Sequence, residues 1–224
     1  DVLKLIQLAQ ESKRVLMVGF NRRFSPLAVA LRDALRDKKN AYSLKAVINA
    51  GRLPSDHWTL DSVTGGGRIV GEGCHWIDLL RYLVGEPIVA VECKQRDKDG
   101  QDGGRFELEF SNGVKGLLDY RTDLPAHIPK EYIEVDGGDW TARIENWIRL
   151  KSKGMNGLCG GARWGGAQRK GHPEALKAFL AVTSSGESPI PLDEIEEVSR
   201  FAIAMQSMKK GDIISAAHFV SQAR

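Results

Sequence analysis

Gly65-Gly66-Gly67-Arg68-Ile69-Val70-Gly71-Glu72-Gly73-Cys74-His75-Trp76-Ile77-Asp78 is the stretch around which the rest of the chain is organised. Three consecutive glycines permit positive φ and close approach of another group to the backbone. His75 then opens a predicted helix, His-Trp-Ile-Asp-Leu-Leu-Arg-Tyr-Leu-Val, which ends at Gly85 with Pro87 beyond it. Trp76, Leu79, Leu80 and Leu83 fall on one face of that helix, and His75, Asp78 and Tyr82 on the other. This reading places a titratable imidazole at a helix N-terminus, after a loop with no side chains to block access.

On the N-terminal side, Val2 to Gln10 reads as an amphipathic helix. Val15 to Phe20 is a continuous apolar run, the pattern of a parallel strand buried on both faces. Ser25-Pro26 reads as an N-cap followed by proline at the first helical position, opening a helix through Leu35. Leu44, Ala46, Ile48 and Ala50 alternate with polar neighbours as a strand does. A loop from Gly51 to Thr64 carries Arg52, His57, Trp58 and Asp61.

On the C-terminal side, Ile88 to Gln95 reads as a strand. Phe106, Leu108 and Phe110 share one face of another, and Asn112-Gly113 is a strong hairpin signal, with the return strand running through Tyr120. Tyr132 to Ile144 reads as a second hairpin, and Trp147 to Leu150 as a further strand. Lys153 to Gln168, rich in glycine, reads as a loop and Ser184 to Pro191 as a linker. Helices are predicted from Pro173, over Leu192 to Lys209, and over Ser215 to Gln222. Helices combined with meandering strands give an α+β fold: an open, mostly antiparallel sheet with helices on one face.

Composition narrows the class. The chain has 224 residues, 42% hydrophobic and 27% charged, enough for one large domain or two small ones. A net charge of +3, evenly spread, gives no case for nucleic acid. No apolar run approaches the ~18–20 residues of a membrane-spanning helix, and no signal peptide is recognisable at the start. Cys74, Cys93 and Cys159 are odd in number and lack Cys-x-x-Cys spacing, so neither a disulfide framework nor a metal site is expected. A reducing cytoplasm is the expected location. The chain opens at Asp1, inside a helical pattern and without an initiator Met, as a fragment of a longer protein would.

Gly-Gly-Gly, an acidic position and then His-x-x-Asp resemble the Gfo/Idh/MocA family of oxidoreductases. Asn21-Arg22-Arg23-Phe24 after an apolar run, and Lys170-Gly171-His172-Pro173-Glu174 before a helix, are similar to the same family. The resemblance implies that residues 1–40 are the remnant of a dinucleotide-binding Rossmann domain. Residues 41–224 would then be the substrate and oligomerisation domain. It further implies that His75 exchanges a proton with a hydroxyl of a sugar, sugar nucleotide or polyol while hydride passes to NAD or NADP. An imidazole of ordinary pKa ~6.5 suits that exchange. Asn21 and Arg22 would lie near both nicotinamide and substrate, Gly19 near the cofactor, and His57, Trp58 and Lys170 near the substrate. Association would be homo-oligomeric, through the open face of the sheet.

Bland readings stand beside these. His75 could cap its helix or sit in the core, Arg23 be solvated, Trp58 simply be buried, His172 cap a helix and Cys74 pack. Many family members carry Asp four residues before the histidine; here that position is Gly71, and Glu72 either reaches the same site or is exposed. The family's Glu-Lys-Pro and Gly-x-Gly-x-x-Gly motifs do not occur in this chain. By itself the chain is therefore expected to bind no dinucleotide and to be inactive. The alternative is a non-catalytic binding or oligomerisation module of the same fold. If the site reading holds, His75 lies in the largest polar cleft, with Asn21 or Arg22 in reach.

Overall fold

The computed structural model describes residues 2–36, 38, 42–97, 100–125, 127–155, 158, 167–182 and 187–221. Most of the glycine-rich loop predicted over Lys153 to Gln168, Cys159 included, lies outside them. So do residues 184–186 of the predicted linker from Ser184 to Pro191.

Among the described residues eight strands form one sheet: β1 (Ser43–Asn49), β2 (Ile88–Arg96), β3 (Gly104–Phe110), β4 (Lys115–Arg121), β5 (Glu131–Asp136), β6 (Thr141–Glu145), β7 (Arg149–Lys153) and β8 (Ile213–Ser215). Their order is β7-β6-β5-β1-β4-β3-β2-β8. Only β1–β4 is parallel; the other neighbours are antiparallel. The helices are α1 (Val2–Ser12), α2 (Pro26–Arg36), α3 (Cys74–Val84), α4 (His172–Val182), α5 (Leu192–Ser207) and α6 (Ala216–Ser221). This is the α+β architecture that the alternation in the sequence predicts.

The period of two decides which face is buried. Leu44, Ala46 and Ile48 of β1, Leu118 and Tyr120 of β4, and Phe106, Leu108 and Phe110 of β3 all turn inward. Packed against that layer, α3 meets β1 and β4, α2 meets β6 and β7, and α5 meets β2. From α3 come Trp76, Ile77, Leu79, Leu80 and Leu83, and from α5 Ile195, Val198, Phe201 and Met205. Each large apolar side chain so buried contributes about 1.5–3 kcal/mol relative to exposure. The opposite face carries charges in pairs, such as Glu134 with Arg143 and Glu145 with Lys151. The sheet edges resist further pairing: β8 has three residues, and β7 exposes Arg149, Lys151 and Lys153.

Three local expectations are corrected. Val15 to Phe20 forms no strand; it has no regular secondary structure and is mostly half-buried. Its tight bonds are local, from Phe20 N–H to Val18 O and from Asn21 N–H to Gly19 O, both 2.7 Å. An apolar run becomes a strand only beside a free sheet edge, and none of the described strands lies beside it. The strand predicted from Trp147 starts at Arg149, because Asn146 and Trp147 turn the chain at positive φ (47° and 59°). Strand β8 and its pairing with β2 were not predicted; three residues carry too little alternation to be seen.

Candidate functional site

The helix carrying His75 begins earlier than its apolar periodicity indicates. Ile69–Gly73 form a π-helical turn that runs straight into α3. Two side chains satisfy its first amides: Asp102 Oδ2 accepts from Arg68 N–H (3.0 Å) and Gln206 Oε1 from Ile69 N–H (2.9 Å). Such caps replace the intrahelical partners that a first turn lacks. His75 is thus within the helix and not at its N-terminus. A π turn holds one residue more than an α turn and re-aims the side chains around it, and such turns recur at functional sites.

The triple glycine serves packing. A Cβ on Gly65 would stand 2.4 Å from Trp58 O, and one on Gly67 2.2 Å from the Gln206 carboxamide. The stretch seats the helix start against α5 and against Trp58–Leu60; it is no open approach to His75. Trp58 is 64% exposed and stacks with His57, their ring centroids 6.0 Å apart. Neither lines the pocket at His75.

That pocket, about 220 Å³, is lined by Arg22, Ile48, Ala50, Gly71, Glu72, His75, Trp76, Lys130 and Glu131. It sits where β1 ends, β5 begins and the π turn meets α3. The largest cleft among the described residues is a neighbour of about 1160 Å³, to which Ala50 and Lys130 also belong. His75 lies outside that cleft, while Arg22 does share its pocket.

Electrostatics organise the pocket around two carboxylates. Glu131, 1% exposed, accepts from Arg22 Nη2 (2.9 Å) and Nε (3.3 Å), from Lys170 Nζ (3.1 Å) and from the Trp147 indole N–H. Burial alone would raise its carboxyl, but Arg22 and Lys170 hold it below the usual carboxylate range. The Arg22 guanidinium also lies over the Trp76 ring, 4.1 Å from its centroid. Asn21 Nδ2 donates to Lys170 O at 2.7 Å, tying the loop before α4 to the turn before α2. Gly171, at φ 85°, allows this, since a Cβ there would meet Asn21 O at 2.3 Å.

The second carboxylate, Glu72, accepts from the buried Tyr120 hydroxyl and from Arg68 Nη2 (3.2 Å). Arg68 is 1% exposed and also donates to Gly51 O (2.8 Å) and Ala50 O (3.2 Å). The His75 imidazole meets the Phe20 ring edge-on at 5.8 Å. Its Nδ1 is buried with no hydrogen-bond partner among the described residues. Burial, followed by the charge of Arg22, pushes its pKa down to about 4. At neutral pH it is an uncharged proton acceptor.

Other motif residues prove structural. Asp78 is fully buried and accepts from Arg23 Nε (3.1 Å) and Nη2 (2.5 Å), while Arg23 also holds Glu194 (2.8 Å). Arg23 is therefore not solvated. Burial pushes the Cys74 thiol up to about 12, which leaves it inert. Gly19 is exposed and contributes nothing to the pocket. Among the described residues no group of three acids, histidines or cysteines is placed to hold a metal, and no helix is long and apolar enough to cross a membrane. Nor do they fit a dinucleotide, for none forms a glycine-rich turn from a strand into a helix N-terminus.

Glu131, Lys130, Tyr120 and Arg68 escaped the sequence reading. Glu131 had a signal: with Ile133 and Val135 it occupies the inward positions of its strand, where a charge demands a partner. Tyr120 likewise follows Leu118 inward. Arg68 and Lys130 had none.

Residues 40–142 match the family model of the GFO/IDH/MocA C-terminal domain. The chain is 26% identical over 137 residues to D-apiose dehydrogenase of Rhizobium rhizogenes, a match covering 52% of this chain and 40% of that protein. Matches to the curated relatives span less than half of their length. Among solved structures, aldose-aldose oxidoreductase from Caulobacter crescentus, complexed with glycerol, superposes with a TM-score of 0.76 at 18% identity, over 96% of this chain and 68% of that one. GenD2 from gentamicin A biosynthesis, in complex with NAD, superposes with a TM-score of 0.70 at 19% identity, over 96% and 67%. At these identities the superpositions establish the fold. Over residues 40–142 the chain is similar to the C-terminal domain of the Gfo/Idh/MocA family.

Proposed function

We propose that this chain is the substrate-binding part of an NAD(P)-dependent oxidoreductase that acts on a hydroxyl of a sugar or polyol, with His75 as the proton-exchanging residue. The observation that carries the proposal is the single pocket joining His75, Glu72 and Arg22 to Glu131. Relatives that act on sugars, such as the D-apiose dehydrogenase, support the substrate class.

Oxidising a carbinol carbon removes hydride from carbon and a proton from oxygen. This chain supplies the proton half. With a pKa of about 4, His75 is unprotonated at neutral pH and accepts the hydroxyl proton as base. Arg22 and Glu72 flank the pocket with groups able to hold neighbouring hydroxyls, and Tyr120 and Arg68 fix the Glu72 carboxylate.

The dinucleotide belongs to the longer parent protein, and residues 1–40 are the end of its nucleotide-binding domain. In this reading Arg22 lines the pocket on the cofactor side, Gly19 and Asn21 precede it without lining the pocket, and Lys170 acts through Glu131. Copies of the parent associate through the charged open face of the sheet, in a reducing cytoplasm. The isolated chain is expected to be inactive. In the parent, His75→Asn should lower kcat by about 10²–10⁴-fold and abolish the fall of kcat/KM below pH ~5, where His75 protonates. An unchanged kcat and pH profile would remove His75 from the chemistry.

A further inference from the structure

The cleft of about 1160 Å³ opens on the sheet face turned away from the helices. In register, Ile133, Ile144 and Leu150 form a row of buried side chains on the inner face. Tyr132, Glu145 and Arg149 form the adjacent row, which points the other way and lines the cleft. Lys130, two residues before Tyr132, shares that outer face. Its carbonyl accepts from Asn49 N–H (2.8 Å), which carries the β1–β5 ladder one residue past Glu131. Asn49 Nδ2 donates to Pro125 O (3.0 Å) and Ile128 O (3.2 Å), fixing the loop that walls the cleft. Half-buried Leu124, Ile128 and Ile148 add apolar surface to it.

The carboxylates of this cleft are outnumbered. Asp123 accepts from Arg121 Nε (2.8 Å) and Nη2 (2.7 Å), and Arg52 adds its charge nearby. Glu145 is held by Lys151 at 2.8 Å and has Arg143 at 3.8 Å. Arg149 stands opposite Glu145 in the β6–β7 register, yet that carboxylate already answers two other cations. Lys130 and Arg149 are exposed, and neither has a carboxylate at ion-pair distance among the described residues. Strands lie ~4.8 Å apart and rise ~3.3 Å per residue, so the Cα atoms of Lys130 and Arg149 stand about 12 Å apart. Two long cationic side chains on one face at that separation can close on a single anion between them. A concave wall focuses such charge on whatever enters.

We propose that the outer cleft is a second ligand site, separate from the His75 pocket, and that it takes a small phosphate monoester with an apolar body. Two leftover cations answer one phosphate group, which carries about −1.5 to −2 charges at neutral pH. Leu124, Ile128 and Ile148 answer the body. Binding there does not depend on the chemistry assigned to His75.

The test is titration of the chain with phenyl phosphate, benzoate and inorganic phosphate, followed on backbone amide and histidine resonances. Sedimentation at the same concentrations checks that one oligomeric state is present throughout. Phenyl phosphate is expected to shift resonances centred on Lys130, Arg149 and His127, not on His75. It should bind at least about tenfold more tightly than benzoate, which has the ring but a single charge. The same margin is expected over inorganic phosphate, which has the charge but no ring. Raising the salt should weaken binding. Combining Lys130→Gln with Arg149→Gln, both at exposed positions, should weaken it at least about tenfold, and Lys130→Arg alone should keep it. The proposal is overturned by the absence of saturable binding at millimolar phenyl phosphate, or by shifts centred on His75. Benzoate or inorganic phosphate binding as tightly as phenyl phosphate overturns it too, as does an affinity unchanged in the double variant.

Discussion

Replacing Glu131 by Gln tests the charge arrangement around the pocket. The carboxylate is 1% exposed and answers two cations, Arg22 and Lys170, whose side chains are 14% and 18% exposed. Gln keeps the volume and an acceptor for the Trp147 indole but removes the charge. Breaking a buried ion pair from one side costs about 3–5 kcal/mol, because the partner is left uncompensated. The retained hydrogen bond and partial exposure of both cations place Glu131→Gln at the low end, about 3 kcal/mol. For a chain of this size that lowers Tm by about 6–12 °C. The assay is urea and thermal unfolding at neutral pH, with Arg22→Met and the double variant completing a cycle. Coupling predicts that the double variant loses clearly less than the two singles summed. The carboxyl is held below its ordinary value, so its contribution is complete above pH ~4.5 and fades as pH falls through the folded pKa. A loss under about 1 kcal/mol, or strict additivity with Arg22→Met, would refute the view that Glu131 is the pocket's charge anchor.

Four further outcomes are expected. Gly67→Ala should cost about 2 kcal/mol or more in unfolding experiments, since φ is +89° and the new Cβ would stand 2.2 Å from Gln206. Gly71→Asp should stay within about 1 kcal/mol of the unsubstituted chain, its Cβ meeting only Thr59 Cγ2 at 3.6 Å. Tyr120→Phe removes the buried donor to Glu72 and should cost about 1–2 kcal/mol, read by the same melts. Fluorescence titration with NADH and NADPH should show no saturable micromolar binding to this chain, and saturable binding would move the cofactor site into it.

The sheet was legible because each strand face is either wet or dry. Phe106, Leu108 and Phe110 alternate with charged residues, and the structure turns all three inward. Asn112-Gly113 fixed that hairpin, with Gly113 at φ 81°. Helix α3 was legible from Trp76 to Leu83, but not its start, because the π turn is built on amides satisfied by Asp102 and Gln206, 34 and 137 residues away. Local periodicity carries no information about such partners. For the same reason Val15 to Phe20 read as a strand: an apolar run shows the tendency to pair, and only tertiary structure supplies the neighbour. His75, Glu72, Asn21, Arg22 and Lys170 were identifiable from motifs, and the fold gathers them. The partners that set their charges, Glu131, Tyr120 and Arg68, come from distant strands and from a turn whose hydrogen bonds the sequence does not display.

The central claim is that His75 is a neutral, ligand-facing proton acceptor. Its most direct test is the imidazole titration followed by NMR, with His75→Asn assigning its resonance among the five histidines. A midpoint near 4 is predicted, together with a change in the resonance when a sugar or polyol is added. Because the folded pKa is depressed, stability should be complete above pH ~6.5 and decline by about 3 kcal/mol as pH falls toward the folded pKa. An unperturbed midpoint near ~6.5, with no response to any sugar or polyol, would contradict the account.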